Sequence, residues 1–537
     1  MCYFVYFVCF VDRSVCSVKN DPRNTRNNAN VLNGENYMKT LKKTALFFVL
    51  TVSALSVQAQ QPSPTTLPTP SATPAVTVSQ VNTGIAGNWL GVLDAGLKLR
   101  LGLKVQQQAD GKLTAKFDSL DQAAHDLPIN SITLENGLVR FIATSLNLSY
   151  EGKLSADGSE IIGELKQGTT GFPVTFKRTQ KLPTLARSQD PQKPYPYTEE
   201  EVAYENIADK VKLTGTLTLP PSKLPVPAVI LITGSGAQDR NETIMGHRPF
   251  LVLADHLTRR GIAVLRVDDR GVGGSSKGAA TATSENYAED VLAGIAYLKT
   301  RKEINQNQIG LIGHSEGGII APIAATRSKD VAFIIMMAGL GQTGRDAILM
   351  QNDLLTRAAG APPEVTVKIR KIFEQLFDIL KVEKDNKVAE QRMRAVIDAE
   401  LATMTDEQKK SFASVQRTMN MQMPMYLSNW FRYFLLIDPA LFLEKVNVPV
   451  LALVGEKDLQ VPPKENIDLI EMALKKGGNK NYTVALLPGL NHLFQTSKTG
   501  LPTEYGEIEE TISPTALQMM SDWILKQTQP AKQQGQQ

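Results

Sequence analysis

The chain of 537 residues has almost no cysteine: its three, Cys2, Cys9 and Cys16, all lie within the first sixteen positions. The body that follows therefore has no disulfide framework, no thiol nucleophile and no cysteine-ligated zinc. Histidine is nearly as scarce. His125, His247, His256, His314 and His492 are the five present, so a reaction that needs an imidazole has few candidates. An excess of one charge is also missing. Lys and Arg number 58 against 54 Asp and Glu; seven of the bases and three of the acids precede residue 60, which leaves 51 of each beyond it. With no basic block or stripe, electrostatics make no case for nucleic acid as a partner. The apolar run from Thr44 to Val57 falls short of the roughly 20 residues that a membrane helix requires, so no stable membrane span is expected in the mature protein. A composition of 42% hydrophobic and 21% charged residues is that of a globular protein with room for two or three domains.

That short apolar run has a meaning of its own. From Met38 the chain reads Lys39, Lys42 and Lys43, then Thr44 to Val57, then Gln58-Ala59-Gln60. Basic residues, a short apolar segment and small residues before a cut are the layout of a signal peptide. Residues 38–59 are accordingly expected to be an export signal cleaved after Ala59, with the mature protein periplasmic or secreted. Residues 1–37 fit no part of such a signal and read as a misassigned upstream extension. The Pro- and Thr-rich stretch at residues 60–80 reads as a linker.

Residues 81–180 have an all-β pattern. Leu97, Leu99, Leu101, Leu103 and Val105 alternate with Lys98, Arg100, Gly102 and Lys104, a period of two. Turn signals at Asp110-Gly111, Asn136-Gly137 and Asp157-Gly158 separate further short strands. A small antiparallel barrel or sandwich of about eight strands is predicted, serving either as a ligand-binding cup or as a structural appendage.

A second linker at residues 181–197 leads into a different rhythm at residues 198–527. Apolar runs Val229 to Thr233, Ile262 to Val267, Ile309 to Ile312, Val331 to Met336, Val448 to Val454 and Thr483 to Leu487 alternate with amphipathic stretches such as Phe250 to Arg260 and Tyr287 to Thr300. The alternation predicts an α/β fold, a doubly wound and mostly parallel sheet. More than a hundred residues separate the strands ending near Met336 and starting near Val448, far more than one crossover needs. A helical cap is expected at about residues 341–440, with Pro362-Pro363 ahead of one helix and Thr405-x-x-Gln408 forming a capping box on another. Met419, Met421, Met423, Met425, Trp430 and Phe434 would either grip an acyl chain or form the cap's own core. Residues 528–537 read as a disordered tail.

Gly313-His314-Ser315-Glu316-Gly317 sits between an apolar strand and the helix-like Gly318-Ile319-Ile320-Ala321. Strand, tight turn and helix in that order make a nucleophile elbow, which lifts Ser315 to a helix N-terminus where N–H groups meet developing negative charge. A serine hydroxyl needs an imidazole held by a carboxylate. His314 is badly placed to serve its own neighbour, and His125, His247 and His256 read as structural or surface residues. That leaves His492, in a loop after the last predicted strand. The carboxylate should come from the loop after the preceding strand, which offers Asp458 and, as the alternative, Glu456. The order Ser315, Asp458, His492 is the one an α/β-hydrolase uses. Backbone N–H groups of Ser235 and Glu316 are the expected oxyanion-hole donors. The Glu316 side chain reads as a favourable acid at a helix start, and Asp268-Asp269-Arg270-Gly271 as a turn bracing the oxyanion loop.

Thr233 to Arg240, Asp268 to Gly273, Gly313 to Gly318, Trp430 to Phe434 and Gly455 to Pro462 together resemble the exported bacterial α/β-hydrolases of the serine-aminopeptidase-like and carboxylesterase group. The resemblance covers about residues 198–527 and implies carboxylester hydrolysis. One departure is Thr233, where many relatives have a histidine. The expected protein is a serine hydrolase that cleaves small-molecule esters through an acyl-enzyme, needing neither metal nor organic cofactor. The alternatives are a serine exopeptidase or thioesterase on the same fold, and a non-catalytic binding protein.

Overall fold

The computed structural model describes residues 84–94, 98–122, 124–167, 170–183 and 187–529. The signal, the upstream extension and the first linker lie outside them, as do Leu97 and residues 530–537. The chain divides into two compact units, with the boundary near residue 184.

The first unit is a single antiparallel sheet of nine strands: β1 (Gly87–Asp94), β2 (Lys98–Gln107), β3 (Leu113–Ser119), β4 (Ala124–Pro128), β5 (Ser131–Glu135), β6 (Leu138–Ala143), β7 (Leu148–Leu154), β8 (Glu160–Gln167) and β9 (Thr170–Thr179). Their order is β4-β3-β2-β1-β9-β8-β7-β6-β5, so the first and last strands pair and the sheet curls into a half-barrel. The period of two holds: Leu101, Leu103 and Val105 are buried while Lys104 is half-exposed. The concave side is filled. Trp89, Phe141 and Phe176 are fully buried, Phe117 and Tyr150 nearly so, and the Phe141 and Tyr150 rings stack 5.2 Å apart. The Tyr150 hydroxyl donates to the carbonyls of Ile161 and Val174 at 2.9 and 3.0 Å, which satisfies its one polar atom. A close-packed aromatic core favours the appendage over the ligand cup.

The second unit is built on eight strands: β10 (Thr198–Asn206), β11 (Val211–Leu219), β12 (Val226–Ile232), β13 (Ala263–Val267), β14 (Ile304–His314), β15 (Phe333–Met337), β16 (Val450–Gly455) and β17 (Tyr482–Leu487). Six were legible as apolar runs. The sheet also contains the hairpin β10 and β11, which adds antiparallel strands at one edge. β10 reads Thr-Glu-Glu-Glu-Val-Ala-Tyr-Glu-Asn, and such an acidic edge strand carries little apolar signal. The order β10-β11-β13-β12-β14-β15-β16-β17 puts β12 at the centre, with its successors wound to opposite sides. Both faces are covered. Val229 and Leu231 pack toward α1 (Pro249–Arg259) and α11 (Pro514–Thr528); Ala228, Ile230 and Ile232 face the layer of α2 (Ser284–Leu298) and α3 (Gly317–Arg327). Continuous apolar strands are what a sheet buried on both faces requires.

Six helices fill the insertion between β15 and β16: α4 (Gly344–Ala358), α5 (Pro363–Val382), α6 (Asn386–Ala402), α7 (Asp406–Tyr426), α8 (Asn429–Leu436) and α9 (Ala440–Leu443). Pro363 opens α5, where its missing N–H costs nothing. Thr405 and Gln408 close the capping box on α7. Met419, Met423, Met425 and Phe434 are buried in the cap's own core, whereas Met421 is 58% exposed. α10 (Pro463–Lys476) follows β16. Among the described residues no helix is long and apolar enough to cross a membrane.

Candidate active site

Strand register brings the singled-out residues to one edge. In the parallel pair β12 and β14, Ile232 stands opposite Gly313, so the loops beginning at Thr233 and at Ser315 leave the sheet at one level. β12 is also the strand from which the chain winds to both sides, and the crevice at such a switch point is where open α/β sheets place their ligands. Two strands further on, Gly455 of β16 pairs with Leu487 of β17. Asp458 and His492 follow those positions on the same edge.

Ser315 has φ of 52°, a left-handed conformation that a non-glycine residue adopts only when its surroundings impose it. Here β14, the turn and α3 are jammed together. A Cβ on Gly313 would overlap the Gly317 carbonyl, one on Gly317 would overlap the Ile232 carbonyl, and one on Gly318 would come within 2.6 Å of Gly339 Cα. The elbow therefore needs its glycines for close packing. Ser315 is half-buried within an otherwise buried stretch from Ile309 to Ala324. The N–H groups of Glu316 and Gly317, at the start of α3, bond to none of the described residues, as expected of a helix N-terminus.

His492 Nδ1 lies 2.8 Å from Asp458 Oδ2. The second carboxylate oxygen of Asp458 accepts the N–H groups of Gln460 and Val461, each at 2.8 Å. With Asp458 only 1% and His492 4% exposed, this carboxylate is an acceptor with three donors aimed at it. Nδ1 therefore carries the ring proton and Nε2 is left as the acceptor. Asn491 shapes the base loop by taking the N–H groups of Leu493 and Gln495 on its side-chain oxygen. Glu456 is exposed and accepts the Gly489 N–H at 2.8 Å; the structure does not bring it to His492.

The glycine-rich loop after β12 is braced from several sides. Asp269 accepts the Thr233 hydroxyl at 2.9 Å and the Gln238 N–H at 2.8 Å, so Thr233 and Gln238 both tie the loop to Asp269. Burial pushes the Asp269 carboxyl well above its ordinary range, against the pull of those two hydrogen bonds. Asp268 pairs with Arg240 at 2.7 Å, so the Asp268-Asp269 turn does brace the loop. Glu242 accepts the Gly234 N–H at 2.7 Å and sits 2.9 Å from His314 Nδ1. His314 Nε2 in turn donates to the His492 carbonyl at 3.0 Å. Both partners of His314 are acceptors, so both of its ring nitrogens donate. Burial pushes this imidazole down, but the Glu242 carboxylate outweighs burial and holds it above the ordinary range. One ion pair thus links the glycine-rich loop, the elbow and the base loop. A Cβ on Gly234 would stand 3.3 Å from Ser315 Cβ, which measures how closely loop and elbow approach. The Ser235 N–H bonds to none of the described residues.

The Glu316 side chain differs from expectation. It is not a solvated acid at a helix start: Glu316 is 1% exposed, and its Oε1 accepts from Ser284 Oγ at 2.6 Å and Trp430 Nε1 at 2.9 Å. Among the described residues no group of three His, Cys, Asp or Glu side chains is arranged to hold a metal ion.

The serine aminopeptidase S33 family matches residues 248–496, a span that includes Ser315, Asp458 and His492. The esterase EstD of Thermotoga maritima is 25% identical over 368 residues, covering 67% of this chain and 77% of the relative. The chain is a hydrolase with the α/β-hydrolase fold that resembles this family over that span. Among solved structures, the Pyrococcus furiosus esterase Pf2001 aligns with 62% of this hydrolase and 91% of its own chain, at 15% identity and a TM-score of 0.38. Est1E of Butyrivibrio proteoclasticus, solved with ferulic acid bound, aligns with 60% of it and 96% of its own chain, at 17% identity and a TM-score of 0.34.

The remaining three histidines have hydrogen-bond partners of their own. His125 is an exposed half-barrel residue 3.5 Å from Asp118, and His256 bonds Ser521 Oγ at 2.9 Å. His247 is fully buried, with Nε2 2.8 Å from the Tyr505 carbonyl and 2.9 Å from the Gln495 amide nitrogen, and Nδ1 2.9 Å from the Thr511 hydroxyl. Burial together with Arg187 pushes its pKa down to about 4. An unfolded histidine titrates at about 6.5. Between those values the unfolded chain binds the proton and the folded one does not, so the stability this gives is complete above 6.5 and lost as the pH falls to about 4. The unfolding free energy of this unit, from urea melts, is expected to fall across that window by an amount on the order of 3 kcal/mol. A His247→Gln variant should lack that component; an unchanged acid dependence would assign it elsewhere.

Proposed function

We propose that this hydrolase cleaves carboxylic esters through an acyl-enzyme. Ser315 Oγ attacks the ester carbonyl while its proton passes to His492 Nε2. Asp458 holds the Nδ1–H tautomer and stabilises the imidazolium. The backbone N–H groups of Ser235 and Glu316 receive the oxyanion. His492 then returns the proton to the departing alkoxide, the alcohol leaves, and water repeats the sequence to release the acid. The observation that carries this reading is the buried 2.8 Å bond between Asp458 and His492 at the sheet edge where the strained Ser315 emerges. On the sequence of residues 38–59 alone, the reaction takes place outside the cytoplasm.

An exopeptidase would need a carboxylate for the substrate's ammonium group. The two nearest in sequence speak for the ester reading, since Glu316 is buried against its own donors and Glu456 is turned to Gly489. A fluorophosphonate should label Ser315, and a panel of nitrophenyl esters, acyl thioesters and aminoacyl anilides should show turnover on the esters. Turnover on the anilides alone would replace this reading by the exopeptidase, preference for thioesters by the thioesterase, and neither labelling nor turnover by a binding protein.

A further inference from the structure

Glu316 follows the nucleophile directly, and its carboxylate is shut off from water. Burying an ion costs several kcal/mol unless hydrogen bonds replace the solvent. Burial raises this carboxyl above its ordinary range, while hydrogen bonds from Ser284, Trp430 and Ser235 pull it back. The donors come from three separate places. Ser284 opens α2, Ser235 lies in the glycine-rich loop after β12, and Trp430 belongs to cap helix α8. One turn along α8, the Tyr433 hydroxyl donates to Glu285 Oε1 at 2.7 Å, beside Ser284. Trp430 and Tyr433 are three apart and share a helix face, so α8 is docked on Glu316 through the first and on the start of α2 through the second. The indole is itself held by Phe434, whose ring stacks on it 5.6 Å away.

We infer that the Glu316 side chain is a positioning residue that ties cap helix α8 and the start of α2 to the nucleophile elbow, so that the seating of the cap sets the placement of the oxyanion donor that follows Ser315. The inference rests on Ser315 being the nucleophile. Its physical content is that one residue joins the cap to the oxyanion hole: the Glu316 backbone supplies one N–H, and its carboxylate accepts the Ser284 hydroxyl and the Trp430 indole N–H. Misplacing such donors weakens binding of the transition state and leaves the ground state untouched, so the loss appears in kcat.

Three variants and one inhibitor test it. Trp430→Phe removes the N–H and keeps a ring against Phe434; Glu316→Gln keeps the volume and exchanges one acceptor oxygen for a donor; Glu316→Ala removes the tie. With a nitrophenyl ester, kcat should fall about tenfold in the first two variants and about 10² in the third, with KM within about twofold. A trifluoromethyl ketone, which forms the tetrahedral oxyanion on Ser315, should lose affinity in parallel with kcat/KM, a shift that mere loosening of the fold would not produce. Trp430→Phe combined with Glu316→Gln should be little worse than the poorer single variant, because both act through one contact. Thermal melts identify any variant that fails to fold; the two volume-conserving changes carry the test if Glu316→Ala does. The inference is overturned by folded variants with kcat within twofold of the parent, by a loss confined to KM, or by single effects that multiply. A parent protein whose Ser315 resists the fluorophosphonate would overturn the nucleophile assignment itself, which the labelling reports separately from the variants.

Discussion

Replacing Ser315 by alanine is expected to lower kcat for a nitrophenyl ester by about 10⁶. Once the nucleophile is gone, the oxyanion donors and substrate binding still operate, and in triads of this kind they account for only a small residue of the rate. The expectation rests on conformation. Ser315 is held at φ of 52° by strand, turn and helix packed through Gly313, Gly317 and Gly318. An alanine in its place inherits the same backbone without the hydroxyl, so the fold should persist while chemistry stops. Steady-state kinetics beside a thermal melt make the measurement. Activity above a hundredth of the parent, with fluorophosphonate labelling retained, would place the nucleophile at another serine.

Asp458→Asn should lower kcat by about 10⁴, the loss this exchange causes in serine proteases. An asparagine can still accept the Gln460 and Val461 N–H groups through its oxygen. It then turns its amide nitrogen to His492, which forces the ring proton onto Nε2 and leaves nothing to accept the serine proton. Glu456→Gln is the control. Glu456 is exposed and bonded to the Gly489 N–H, which an amide oxygen also accepts, so kcat should stay within about twofold. His492→Ala removes the base and should cost about as much kcat as Ser315→Ala. A Glu456→Gln loss equal to that of Asp458→Asn would exchange the two carboxylates, and activity above a hundredth of the parent in His492→Ala would remove that residue as the base.

The residues in these two predictions were legible because their signals are local. An apolar strand followed by Gly-x-Ser-x-Gly and a helix marks an elbow within about a dozen positions, and five histidines leave few choices of base. Apolar strands announced themselves for the same reason: a sheet covered on both faces writes continuous Val, Ile and Leu runs into the chain. β10 did not, since its outward Glu residues at a sheet edge resemble those of any solvated segment. The cap's existence followed from length, but its content was ambiguous. Alternating methionines fit a substrate surface as well as a core, and only packing separates buried Met423 from exposed Met421.

By itself the sequence determined a hydrolase sheet with a helical insertion, a serine at an elbow, and the two loops that hold Asp458 and His492, because each depends on neighbours a few residues away. Tertiary structure decided which carboxylate of the Asp458 loop turns to the imidazole, and that Thr233 and Gln238 tie the glycine-rich loop to Asp269. It also decided that His314 is locked against Glu242, 72 residues away, and that the Glu316 carboxylate points into the protein to meet Trp430, 114 residues away. Those contacts have no local signature. A glutamate at a helix start reads as solvated until the chain folds over it, and whether it holds a charge, a proton or a neighbouring element depends on the donors that burial brings within 3 Å.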